Sequence, residues 1–266
     1  MWGAGNPLTL LTRLGLGWMG AAILMVVLWQ GQRRTRNAGF VDVGWTVAVA
    51  GLSVLYAAFG EGWAVRRLAI GVMAGIWGLR LASHLFLRVR GHAEDGRYAD
   101  LRRVWGARAN GRLFWFFQMQ AVAAVFFALP ALLASADPHT ALRPLETAAI
   151  GLWALAFAGE TSADRQLARC KGDPSMRGRT CRSGWWRYSR HPNYFFEWTM
   201  WVAYGGFAVA APFGVLALLC PAAMLYLLLR VTGIPATEAQ AIRSRGDDYR
   251  RYQQTTSIFV PLPPRG

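Results

Sequence analysis

Charge is what this sequence is shortest of. Asp, Glu, Lys and Arg make up 16% of its 266 residues, where a soluble chain of this length carries about a quarter. Acid is scarcer than base, 14 residues against 29, and a single lysine is present, Lys171. The three cysteines, Cys170, Cys181 and Cys220, have no C-x-x-C spacing, which speaks against a zinc site or a disulfide framework. His191 has no ligating companion at i+3 or i+4, so no metal is expected. A Ser-His-Asp pattern, a P-loop and a G-x-G-x-x-G opening a helix after a strand are all missing, which excludes a soluble-type dinucleotide fold. There is no internal repeat, heptad or low-complexity linker, and no small-residue cleavage site follows Arg13. The N-terminus therefore reads as a retained first span.

What the chain has instead is apolar bulk in blocks. It is 54% hydrophobic, with 13 Trp and 14 Phe. Seven blocks approach the roughly 20 apolar residues that cross a bilayer as a helix: Leu14–Gln30, Phe40–Phe59, Leu68–Leu87, Phe114–Ser135, Leu145–Glu160, Tyr194–Pro212 and Phe213–Val231. The fold class expected is all-α, a polytopic membrane protein of one domain, with helices over 1–144 on the substrate side and the remainder, 145–266, on the cofactor side. The net charge of +15 sits in the loops. Arg33, Arg34 and Arg36, then 88–112, then 165–190, and the tail after Arg230 are rich in arginine. The loops 60–67 and 136–143 are nearly balanced. This alternation predicts seven crossings with the N-terminus outside and the C-terminus cytoplasmic. It also argues against a nucleic-acid face.

Polar residues inside or beside such blocks are costly and mark function. Asp42 opens the second block as a helix-start carboxylate or a polar group facing a cavity. Arg80, His84 and Arg88 recur every four residues, so they share one helix face, and a basic stripe at a span's end suits a phosphate-bearing ligand. Gln118 and Gln120 lie within the fourth block, and Gln118 is the weak substrate-side candidate. Glu160 and Asp164 share a face where the fifth block ends and need partners there. Glu197, one turn into the sixth, has Arg190, His191 and Arg230 as possible partners. The densest stretch is Gly184-Trp185-Trp186-Arg187-Tyr188-Ser189-Arg190-His191-Pro192-Asn193-Tyr194, a basic loop running straight into an apolar helix.

That stretch through Glu197 resembles the C-terminal signature of the steroid 5α-reductases and related sterol reductases; a looser version occurs in isoprenylcysteine carboxyl methyltransferases. The run 163–171 and the tail Asp248-Tyr249-Arg250-Arg251-Tyr252 with Phe259-Val260-Pro261 match the reductases too. The whole chain most closely resembles the bacterial DUF1295 branch of this superfamily. The resemblance implies a seven-helix fold in the bacterial inner membrane, holding NADPH from the cytoplasmic side. A lipophilic substrate with a C=C bond conjugated to a carbonyl would be reduced. By position, Asp164, Lys171, Tyr188, Arg190, His191, Asn193, Tyr194, Glu197 and Arg230 would surround the cofactor, with Arg80, His84 and Arg88 on its phosphate and adenine side. Glu238, Tyr249 and Tyr252 would belong to a polar C-terminal cluster. The family's substrate-polarising glutamate and tyrosine fall near Asp42 and Trp77, and an indole cannot deliver a proton as a phenol can. Asp42, Trp77 and Gln118 are therefore the expected substrate-side residues. A methyltransferase using S-adenosylmethionine shares Arg190 to Tyr194 and Glu238, but its cofactor has no phosphate to need the arginines. A non-catalytic lipid-binding protein would leave the polar residues of the sixth block without a role.

Overall fold

Apolar blocks with capping residues at their ends become helices, and the computed structural model, which describes residues 6–265, contains no strand among them. Helix α1, Pro7–Thr35, starts where the Asn6 side chain accepts from Leu8 N at 2.8 Å, with Pro7 in the first turn. It ends at Arg36, which takes a left-handed conformation with φ of 51°. α2 spans Phe40–Phe59 and α3 Ala64–Val89. They lie close because α3 offers Gly78 to Ala50; a methyl group at Gly78 would collide with the Ala50 side chain. α4 (Gly96–Trp105) is short and polar, and α5 (Ala109–Phe127) is apolar. Pro130 cannot donate to the preceding turn, so the fourth block breaks near Ala128 and resumes as α6, Leu129–Ala134.

The remaining helices are α7 (Pro144–Gly172), α8 (Pro192–Ala208), α9 (Leu219–Tyr226), α10 (Ile234–Arg245) and α11 (Asp247–Thr255). Between α9 and α10 a π turn over Leu227–Val231 leads to Gly233, whose backbone lies against that of Leu228 too closely for a side chain. The chain forms two compact units, Met1–Arg143 with Phe207–Ala217, and Pro144–Gly206 with Leu218–Gly266.

Among the described residues, five helical stretches are long and apolar enough to cross a membrane: Pro7–Thr35, Phe40–Phe59, Ala64–Val89, Gly96–Ala134 and Gly214–Arg245. Large apolar side chains such as Leu11, Leu16, Ile23 and Val27 on α1 stand exposed, which suits lipid rather than water as the solvent. The chain is an integral membrane protein. The two other expected spans fall outside that set. α8 has 17 residues, and α7 carries Glu146 and Glu160 along with its apolar side chains.

One expectation from the sequence changes here. Cys170 and Cys181 are joined by a disulfide, with Cα atoms 5.9 Å apart, while Cys220 is buried and outside that bond. Spacing alone could not show the pairing, because the loop turns back on itself through a 3-10 turn at Pro174–Met176 and a left-handed Gly178. The loops read as nearly balanced are held by two arginines. Arg66 is 0% exposed and donates to the carbonyls of Asp137, His139 and Ala141, the last two at 2.6 Å. Arg67 donates to the carbonyls of Gly60 and Ala58 and so closes the end of α2. Those arginines tie loops together.

Candidate functional site

In the first unit, the polar residues meet around α4. Asp95 caps that helix through Arg97 N, which aims Tyr98 and Arg97 at the start of α2. Tyr98 donates its hydroxyl to Asp42 Oδ1 at 2.7 Å, and Arg97 reaches Asp42 Oδ2 at 3.0 Å. Both oxygens of Asp42 are thus used as acceptors. Arg88 pairs with Asp95 at 2.7 Å, so the end of the basic stripe is already committed. Burial pushes the Asp95 carboxyl up, but its bonds to Arg97 and the charges of Arg97 and Arg88 outweigh this and hold it low. A parallel pair, Glu94 and Arg102, links Ala38 N and Gln32 to the same loop. The loop before α4 is therefore clamped over the ends of α1, α2 and α3.

Of the other substrate-side candidates, Trp77 is buried and meets Trp45 edge to face at 6.3 Å; Trp45 in turn meets Phe127 at 5.6 Å. Trp77 thus forms part of an aromatic cluster. Gln118 lies on α5, and its Nε2 is buried without a hydrogen-bond partner among the described residues, as is Trp45 Nε1. Arg80 is partly buried and His84 exposed, both on α3. Tyr98 is the residue that sequence reasoning missed. It lies in the arginine-rich loop, outside every apolar block, where the only local signal was the helix-capping Asp95 before it.

In the second unit, Arg190, His191, Glu238 and Tyr249 converge. Glu238 Oε1 accepts from Arg190 Nε at 2.7 Å and Tyr249 OH at 3.2 Å, and lies 3.3 Å from His191 Nε2. Gln253, also unforeseen, donates to Glu238 Oε2 at 2.9 Å. Arg190 Nη1 donates to the carbonyls of Gln253 and Thr256. Burial drives the His191 imidazole below its ordinary value, and the neighbouring Glu238 only partly offsets this. Tyr252 donates to the Trp186 carbonyl. A C-terminal strap closes the group: Arg190 N donates to Ser257 O, Leu262 N to Tyr188 O, and Ser189 Oγ to Phe259 O. Arg190, His191, Glu238, Tyr249 and Tyr252 thus spend their polar atoms largely on one another and on backbone.

The rest of the predicted cofactor set is differently placed. Asn193 Nδ2 donates to Asp164 Oδ1 at 3.3 Å, and Tyr194 OH pairs with Thr237 while its ring stacks on His191. Glu197 accepts from Trp201 Nε1 at 2.9 Å. Lys171, Tyr188 and Arg230 are exposed. No cluster of metal-ligating side chains occurs among the described residues.

The sequence profile of one protein family, described as protein of unknown function (DUF1295), matches residues 28–256. No curated protein and no solved structure matches the chain.

Proposed function

The chain belongs to the DUF1295 family, and we propose that it is a membrane-embedded, NADPH-dependent reductase acting on a carbonyl-conjugated C=C bond of a lipophilic substrate. The observation that carries this reading is the Tyr98–Asp42 pair, 2.7 Å apart. Reducing an enone requires a group that binds the carbonyl oxygen as negative charge develops on it. A phenol does this, and Trp77, the residue the resemblance put there, cannot supply a proton.

When bound, NADPH would supply the hydride that the β-carbon needs. Tyr98 turns its hydroxyl from Asp42 to the substrate carbonyl and stabilises the enolate, whose α-carbon then takes a proton from water. Asp42 stays paired with Arg97, which keeps the phenol in position. Trp45, Trp77 and Phe127 shape an apolar, water-poor wall for the substrate. Asp164, Lys171, Asn193 and Arg230 of the second unit would hold the dinucleotide. The topology that goes with this function has seven spans, with α7 and α8 completing the set, the N-terminus outside and the arginine-rich loops in the cytoplasm of a bacterial cell.

The second reading, a methyltransferase using S-adenosylmethionine, is favoured only by the Arg190–Glu238 pair, which both enzyme types share. It has no use for an acid at Asp42. The test is a thermal-shift titration of detergent-purified protein with NADPH, NADH and S-adenosylmethionine, followed by enone reduction. NADPH is expected to stabilise the protein, and Tyr98→Phe to slow reduction about 100-fold or more with NADPH affinity unchanged. Stabilisation by S-adenosylmethionine alone would sink the reductase reading.

A further inference from the structure

The disulfide-closed loop after α7 borders a feature that the reductase reading leaves unused. A cleft of about 870 Å³ opens beside it, lined by Arg169, Arg179, Arg182 and Arg251 together with Cys170 and the carboxylates of Asp173 and Asp248. Asp248 is already engaged: it accepts from Thr180 N at 2.7 Å and from Arg182 at 2.9 Å. Burial raises its carboxyl, but the bonds from Thr180 and the charges of Arg182 and Arg251 together outweigh this and hold it below its ordinary value. Asp173 caps its own turn through Ser175. Arg169 and Arg179 make no side-chain hydrogen bond or ion pair among the described residues, and Arg251 has only the through-space attraction to Asp248. Three like charges gathered around a cleft repel one another, and a bound anion relieves that repulsion. Guanidinium forks match phosphate oxygens in pairs, and the volume lies within the range of small-molecule sites.

We propose that this cleft binds a phosphate-bearing ligand, and that the Cys170–Cys181 bond is its thiol-controlled wall. The bond ties the end of α7, which carries Arg169, to the arm Thr180–Arg182 that is pinned on α11. It thereby fixes the distance across the cleft from Arg169 to Arg179. Where such a loop faces a reducing cytoplasm, a disulfide is a transient, redox-sensing one. Cys181 is buried and Cys170 partly exposed, so attack falls on Cys170. A thiolate of a dithiol reductant bonds to Cys170 Sγ and Cys181 leaves as thiolate, which takes a proton. The second thiol then displaces Cys170, leaving two protein thiols and an oxidised reductant. The pocket itself does not depend on the reductase reading; only the compartment rests on its topology.

The probe is inorganic pyrophosphate, titrated calorimetrically into detergent-purified full-length protein, oxidised or treated with dithiothreitol. Saturable binding is expected in the oxidised form, with affinity at least tenfold weaker in Arg169→Ala/Arg179→Ala, in the reduced protein and in Cys170→Ser/Cys181→Ser. Reoxidation of the reduced sample must restore binding, which separates loosening from unfolding. Absence of saturable binding to the oxidised protein, or unchanged affinity in the double arginine variant, overturns the site. Equal affinity in oxidised and reduced protein overturns the wall. Nanodiscs with and without phosphatidylglycerol tell a lipid headgroup, which competes with the probe, from a soluble phosphate, which alone leaves its affinity unchanged. Redox-dependent pyrophosphate binding without any response to NADPH keeps this inference and removes the reductase.

Discussion

Replacing Glu238 by alanine separates framework from ligand contact in the second unit. The carboxylate accepts from Arg190, Gln253 and Tyr249 and faces His191, and the Arg190 and Glu238 side chains are 9% and 14% exposed. Removing it leaves a buried guanidinium with only two backbone carbonyls, those of Gln253 and Thr256, to share its charge. Breaking a buried pair from one side costs about 3–5 kcal/mol. Glu238→Gln keeps one acceptor oxygen, and the expected loss is about half of that. Both variants can be followed by denaturant unfolding through tryptophan fluorescence, with trypsin digestion at Arg250 and Arg251 reporting on the strap. The alanine variant should unfold at markedly lower denaturant, and its α11 should be cut faster. A loss under about 1 kcal/mol together with a selective fall in NADPH affinity would refute this, and would return Arg190 and Glu238 to the ligand.

The remaining predictions concern loops and pH. Arg66→Ala should cost about 3 kcal/mol or more, because it removes a buried donor shared by three loop carbonyls and one of Asp137's two arginine partners. Arg66→Lys should rescue only part of that in the same denaturation assay, since an ammonium cannot span the three carbonyls. His191 has a native value below its ordinary 6.5, so below that pH the unfolded chain binds the extra proton first. Stability measured by thermal unfolding should therefore fall as pH drops from about 7 to 5. Asp95, Asp137 and Asp248 are all held low; their contribution is present above their ordinary 3.8 and is lost as pH falls through and below it. A stability that rose between pH 7 and 5 would refute the buried neutral histidine.

Much of the helical layout could be read from the sequence, because bilayer length, apolar runs and capping residues are local properties. Phe40–Phe59 matches α2 residue for residue, and the interruption of the fourth block follows from Pro130. The site was less legible because its key partners are remote in sequence. Tyr98 finds Asp42 across 56 residues and Arg190 finds Glu238 across 48, and no local pattern records such pairs. Arg190 and Glu238 were picked out by resemblance, but their mutual pairing was not foreseen. The Cys170–Cys181 bond escaped for the same reason: it depends on how a glycine-bearing loop folds back, which spacing does not reveal.

The strap has a consequence for synthesis. Arg190 must wait for the carbonyl of Thr256, made 66 residues later, and Tyr188 waits longer for Leu262. While the ribosome works through α9 to α11, the Arg-His-Pro-Asn turn sits with open hydrogen-bonding groups and a charge awaiting its partner. The second unit therefore cannot mature step by step behind the ribosome. Its locking step belongs to the last stretch of translation, and a nascent chain halted before residue 256 would present that turn to chaperones and proteases.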